Sequence, residues 1–405
     1  MFRYLLQEYK ASFRGLPLPA WTLALVAFIN RSGSMVLFFL ALYLTTQKGF
    51  TPGHAGKMIS LYGIGAMAGS FVGGRLTDRL GAVRVQMLSF LLSGLGFIIL
   101  GYLNNTMAIS IFLFFLAVIS ESSRPAIITA MAEACPPKRR SRGMALNRLA
   151  INFGMAIGPA LGGFLATINY IYLFWADGIT WLAAAFVLLI FFGKQTHHYA
   201  GKITETRLPL RSPYKDKVFL FSLFLLLCLG LIFTQIFSTW PLYLKDVYFL
   251  KENHIGLLMG FNAILVTLVE MPLVYRMERR DTVKIMSWGA LFFYAGFVIL
   301  PLGNSLSFSF FTVLIWTVGE MLIFPLFSGW VANRAGDANR GQYMGMFTFI
   351  FALSFVVGPY FGTHIYERFG PNSLWYGFGL VGIIVAFSFR ILHRLLFKEN
   401  PPKFN

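Results

Sequence analysis

Residues 73–84 read Gly73-Gly74-Arg75-Leu76-Thr77-Asp78-Arg79-Leu80-Gly81-Ala82-Val83-Arg84. Two hundred positions later the chemistry recurs, with Glu278, Arg279, Val283 and Lys284 standing for Asp78, Arg79, Val83 and Arg84. The same shift carries Tyr43-Leu44 onto Tyr243-Leu244, His54 and Gly56 onto His254 and Gly256, and Gly158-Pro159 with Gly162 onto Gly358-Pro359 with Gly362. Glu121 matches Glu320 at one position less. Isolated glycine or leucine matches arise by chance, but one offset held along the chain marks an internal repeat.

The repeat is written in apolar blocks. The chain is 57% hydrophobic and 12% charged, about half the charge of a soluble domain. A bilayer-crossing helix needs about 20 apolar residues. Twelve segments meet that need: 18–46, 55–75, 84–103, 107–132, 143–166, 170–193, 218–244, 255–275, 284–302, 306–331, 342–366 and 374–395. The first is too long, and too polar at Asn30-Arg31, for a signal peptide, and is read as a mature helix. The expected fold is an all-α membrane protein of twelve transmembrane helices in two pseudo-symmetric six-helix bundles. The domains are then 1–193, a basic cytoplasmic linker 194–217, and 218–405. With six helices each, the halves are parallel repeats about an axis normal to the membrane, which predicts a substrate site at mid-depth between them.

A net charge of +18 raises the question of nucleic acid, but most Lys and Arg fall in alternate loops, including Lys138, Arg139, Arg140 and Arg142. That is the positive-inside signature. It places both termini in the cytoplasm of a plasma or bacterial inner membrane and argues against a nucleic-acid partner. Cys135 and Cys228 have no metal or redox spacing. No metal or other cofactor is expected. The absence of a Gly-x-x-x-x-Gly-Lys loop, a His-Glu-x-x-His site or an acidic metal cluster argues against an enzyme. A receptor or membrane enzyme is the reading of a different class, and it ranks last.

The 73–84 stretch resembles the Gly-x-Leu-x-Asp-Arg-x-Gly-x-x-Arg loop of the major facilitator superfamily. In that family the acid and arginines latch the two halves on the cytoplasmic side, which implies a gate at Gly74, Asp78, Arg79, Gly81 and Arg84, with Glu278 and Arg279 in its degenerate second copy and Glu270 beside that copy as a further gating residue. Gly74 is expected to permit close helix approach, Gly81 a tight turn, and Asp78 to face the positive end of a neighbouring helix. Gly154-x-x-x-Gly158-Pro159-x-x-Gly162-Gly163 in the fifth segment is similar to the motif of many proton-coupled drug antiporters of that superfamily. Small residues there let helices pack closely in lipid, which is also the plain packing reading. Where the family has arginine followed by Gln-Gly in the fourth helix, Arg124 precedes Pro125-Ala126-Ile127. The family's proton-transfer role does not carry over to Arg124 on that motif.

Ionisable groups at bilayer depth are functional candidates unless they pair for structure. Arg31 in the first segment and the i, i+3 pair Glu121–Arg124 in the fourth are read as one charged cluster, able to hold an anionic group or exchange a proton. A static salt bridge is the competing reading. In the second half, Glu320 faces Gln235 and Thr234 where the first half has Arg31, with Trp316 and Phe324 one turn to either side. Desolvation penalises the charged form of an acid, so an acid there without a cation suits a proton carrier. Asp177 and Arg148 stay unassigned. His54 and His254 are read as surface groups at helix starts.

The expected function is secondary transport of a small molecule by alternating access, with protons as coupling ion: efflux of amphipathic compounds by a lipid-embedded monomer. The alternative is proton-coupled uptake of a polar nutrient such as a peptide, because Asn30-Arg31 and Leu42-Tyr43-Leu44-Thr45 resemble the first helix of proton-coupled peptide transporters. Their paired glutamates before the arginine are missing.

Overall fold

The computed structural model describes residues 15–136, 139–193, 212–277 and 280–399. Among these there is no strand, and the chain runs through twelve helical passes. We number them α1 (Leu18–Gln47), α2 (Pro52–Leu80), α3 (Ala82–Tyr102), α4 (Thr106–Ala134), α5 (Arg140–Ile168), α6 (Ile171–Phe192), α7 (217–246), α8 (Glu252–Met277), α9 (Thr282–Val298), α10 (Leu306–Ala335), α11 (Gln342–Phe369) and α12 (Pro371–Glu399). Ten of them supply spans long and apolar enough to cross a membrane. The others are α2, rich in glycine and charged at Arg75, Asp78 and Arg79, and α9, apolar but 17 residues long. Large apolar side chains such as Phe71, Phe115, Phe186, Phe224 and Ile383 are exposed on these helices, which a hydrocarbon solvent accepts and water does not.

Two expectations about helix ends change. Residues 73–80, read from sequence as a loop, are the last turns of α2, and the chain turns only at Gly81, whose φ of +87° suits a residue without Cβ. Helix is also continuous over Leu306–Phe369, where two spans were expected. It reverses nonetheless: Phe327 lies 5.8 Å from Phe347 and Phe324 5.6 Å from Phe351, ring to ring, whereas residues 20 apart on a straight helix are about 30 Å apart.

The chain divides into two compact units, Met1–Leu37 with Ile64–Gly201, and Phe38–Gly63 with Lys202–Asn405. In the first, α3 packs on α6 and the start of α1 on α5. Gly65, Gly69 and Gly73 form a rail on α2 against Phe114, Val118 and Ser122 of α4, where a Cβ on Gly73 would come within 2.5 Å of the Ser122 Cα. A Cβ on Gly74 would meet nothing within 4 Å. Close approach thus belongs to Gly73, one residue before the glycine assigned from the motif.

In the second unit, α9 packs against α10 and α12. Asp216 begins α7 fully buried: it accepts from the Phe219 N–H, from Arg334 Nε and Nη2 at 2.8 and 2.6 Å, and from the Tyr343 hydroxyl at 2.9 Å. This ties α7, α10 and α11 at one end. Burial pushes the Asp216 carboxyl up, but the Arg334 guanidinium and the other donors outweigh it and hold the group below the usual aspartate range. Residues 38–63 belong to this unit through several contacts. Gly53 N–H donates to Glu367 Oε2 at 2.7 Å, Phe38 meets Phe237 with ring centroids 4.7 Å apart, and Gly63 lies against the Phe355 carbonyl.

Three passes are interrupted, each for a readable reason. In α1 helix stops at Ser32 and resumes at Val36, and the buried Asp177 of α6 accepts the freed Met35 and Val36 N–H groups at 2.9 and 3.0 Å. In α4 the break is at Ser122, because Pro125 supplies no N–H to the Glu121 carbonyl and its ring crowds that position. In α7 a 3-10 turn over Thr234–Phe237 ends at Ser238.

Candidate functional site

The α4 break sets the first charged site. Glu121 ends the helical segment Thr106–Glu121 and is buried, while Arg124 opens the next segment, over half exposed. Their side chains make an ion pair within α4. Around them Ser120 and Ser123 bond back to carbonyls of the preceding turn, and Ser122 Oγ lies 2.7 Å from Ser89 Oγ of α3. Pairing with Arg124 therefore comes from the local i, i+3 geometry. Arg31 sits where α5 approaches α1, so that a Cβ on Gly154 would fall 2.7 Å from the Arg31 Cβ, and Gly158 lies beside the Arg31 and Ser32 carbonyls. Gly154 and Gly158 thus act as a groove for α1; Gly162, Gly163 and Pro159 are buried on the same helix, which Pro159 does not break.

The second acid has a partner that the sequence did not reveal. Asn262 of α8 donates through Nδ2 to Glu320 Oε2 at 2.9 Å and to Thr317 Oγ1 at 3.0 Å, while Thr317 Oγ1 donates to the Val313 carbonyl. Glu320 and Asn262 are both part-exposed. One turn along α10, Phe324 enters a cluster with Phe233, Phe293 and Phe351, at centroid distances of 5.3, 5.8 and 5.6 Å, and Phe355 extends it. From sequence Glu320 was expected to lack a cation; the partner found here is a neutral amide. Trp316 lies one turn before Glu320 on α10. It is fully buried, stacked on Phe297 of α9 at 5.5 Å.

Gln235 bonds within α7 and to α11. It is fully buried: Nε2 donates to the Leu231 and Gly358 carbonyls at 2.7 and 3.0 Å, and Oε1 accepts from Thr239 at 2.6 Å. It satisfies the broken turn of α7 and pins α11 to it, doing for α7 what Asp177 does for α1. Of the gate residues, Asp78, Arg79 and Arg84 are exposed and Glu270 is buried in α8. Glu278 and Arg279 lie outside the described residues, as do Lys138 and linker residues 194–211. Among the described residues no cluster of metal-ligating side chains occurs.

The model of the Major Facilitator Superfamily matches residues 23–354 and again 250–404. The chain belongs to the major facilitator superfamily. This superfamily transporter is 24% identical over 405 residues to a Na(+), Li(+), K(+)/H(+) antiporter of Planococcus maritimus, covering 90% of this chain and 91% of the other. It is 20% identical over 373 residues to the quinolone resistance protein NorA of Staphylococcus aureus strain MSSA476, covering 90% and 94%. A crystal structure of the peptide transporter POT in complex with sulfate superimposes with a TM-score of 0.79 at 16% identity, over 95% of this chain and 96% of that one, which shows the shared fold. Family and relatives are transporters and not enzymes: the protein is a secondary transporter integral to the membrane.

Proposed function

We propose that the protein exports amphipathic compounds in exchange for protons, with Glu320 as the proton carrier. The observation that carries this reading is the Glu320–Asn262 pair set against the phenylalanine cluster of α7, α9, α10 and α11. Asn262 has both a donor and an acceptor on one amide, so by rotating it serves the carboxylate and the carboxylic acid without changing its own charge. The rings offer an apolar and π-electron surface to a flat or cationic solute. One carboxyl beside such a wall lets proton and solute compete for the same place, which is what exchange requires.

In this reading Glu121–Arg124 is a second polar element, Arg31 is held by the α5 groove, and Gly81, Asp78, Arg79 and Arg84 form the inner gate. The halves 1–193 and 218–405 move as repeats joined by 194–217, with both termini cytoplasmic and one chain sufficient. The Planococcus relative supports a second reading, in which a monovalent cation exchanges for the proton at the same carboxylate. Liposomes containing purified protein, loaded under an imposed pH gradient with fluorescent dyes or with Na+ or K+, separate the two. Uphill dye movement that collapses in Glu320→Gln supports the drug reading, and cation movement without dye supports the second. If Glu320→Gln drives uphill transport as well as the wild type, Glu320 is not the carrier.

A further inference from the structure

A cavity of about 300 Å³ lies between the first turns of α9 and the last turns of α12, lined by Lys284, Ser287, Trp288, Arg390, His393 and Arg394 among others. We propose that it is a binding site for the phosphate headgroup of an anionic phospholipid. The two helices are joined at its floor, where Ser287 Oγ donates to the Ala386 carbonyl at 2.9 Å, so the cavity is a fixed recess between packed helices. Among the described residues the anionic group facing it is Asp281, which caps α9 through the Lys284 N–H and lies 2.5 Å from His393 Nε2 and 3.7 Å from Lys284 Nζ. Burial pushes the Asp281 carboxyl up, but the Lys284 N–H and His393 hold it below the usual range. Among the described residues one carboxylate is thus set beside a recess lined by three cations, Lys284, Arg390 and Arg394. The two arginines are i, i+4 on one helix, where like charges repel, and an anion between them relieves that repulsion.

The apolar surroundings choose the lipid over a free anion. Trp288 is 59% exposed, and Phe292 one turn further along α9 and Phe387 on α12 are exposed too. An exposed tryptophan beside cations at a helix end is the membrane-interface pattern, and the exposed rings continue from the recess toward mid-membrane along both helices, where acyl chains would lie. Basic recesses between transmembrane helices on the cytoplasmic side recognise anionic headgroups, and the positive-inside topology puts this end there.

The test is tryptophan quenching in bilayers of phosphatidylcholine doped with brominated phosphatidylglycerol or brominated phosphatidylcholine, comparing wild type with Trp288→Phe to isolate Trp288 among the eight tryptophans. The expected result is quenching of Trp288 at lower mole fraction by the anionic lipid, a preference that falls about fivefold for each of Arg390→Gln and Arg394→Gln. The double variant Arg390→Lys/Arg394→Lys, which keeps the charge, retains most of it even if the glutamine variants fold poorly. Equal quenching by both lipids overturns the proposal. So does a preference unchanged in well-folded glutamine variants, and so does its loss on adding inorganic phosphate at constant ionic strength, which would make the occupant a soluble anion.

Discussion

Asp177 and Glu320 are both acids inside the bundle, and their partners divide their roles. Asp177 has its two oxygens taken by the Met35 and Val36 N–H groups. Asp177→Ala strands two buried donors, each costing about 1–3 kcal/mol; the expected outcome is a lower melting temperature in detergent. Glu320 is held by one amide, so Asn262→Leu leaves the acid in place without the donor. The expected outcome is proton-driven dye transport cut at least tenfold with the melting temperature little changed, read in the liposome assay. From sequence, Glu320 was visible as an intramembrane acid, but Asn262 was not, since an asparagine on an apolar helix carries no spacing signal and becomes a partner only once α8 packs on α10. The Asp177 cap was hidden for the same reason: a broken helix 142 residues away cannot be read from an isolated aspartate.

The helices themselves were legible because hydrophobic length is a local property, and their breaks were legible only in part. Pro125 is visible in the sequence, where it reads as a departure from a family motif. Its position four residues after the helix end at Glu121 is what separates Glu121 from the following segment. Gly73 and Gly74 show the limit well, since one residue of rotation, about 100° on a helix, decides which glycine meets α4. Gly73→Leu is expected to lower the yield of monodisperse protein sharply, because backbone of Ser122 occupies the space, whereas Gly74→Ala is expected to leave yield and melting temperature unchanged. Size-exclusion profiles of the two variants decide it.

Over the whole molecule, the repeat told more about ancestry than about packing. The offset of two hundred residues cuts the chain at the linker; the contacts cut it there too, between 201 and 202, and also within α1 and within α2, so that residues 38–63 go with the second unit. One end of that unit is locked by Asp216 and Arg334. Arg334→Gln leaves a buried carboxylate without its cation, a loss of about 3–5 kcal/mol. The Asp216 carboxyl is lower in the folded state than in the unfolded chain, so its stabilising contribution is complete above the ordinary aspartate range and is lost as pH falls through the lowered folded value. Melting temperatures taken from neutral pH down into that acid window should converge for wild type and Arg334→Gln. The clasp of Gly53 on Glu367 spans 314 residues of chain. At roughly 5–20 residues per second of synthesis, a ribosome has finished the start of α2 some tens of seconds before it makes the acid that α2 binds. During that interval the nascent chain holds an unmatched helix end in the membrane, so insertion machinery that shelters early helices has a direct bearing on how much of this protein reaches its final form.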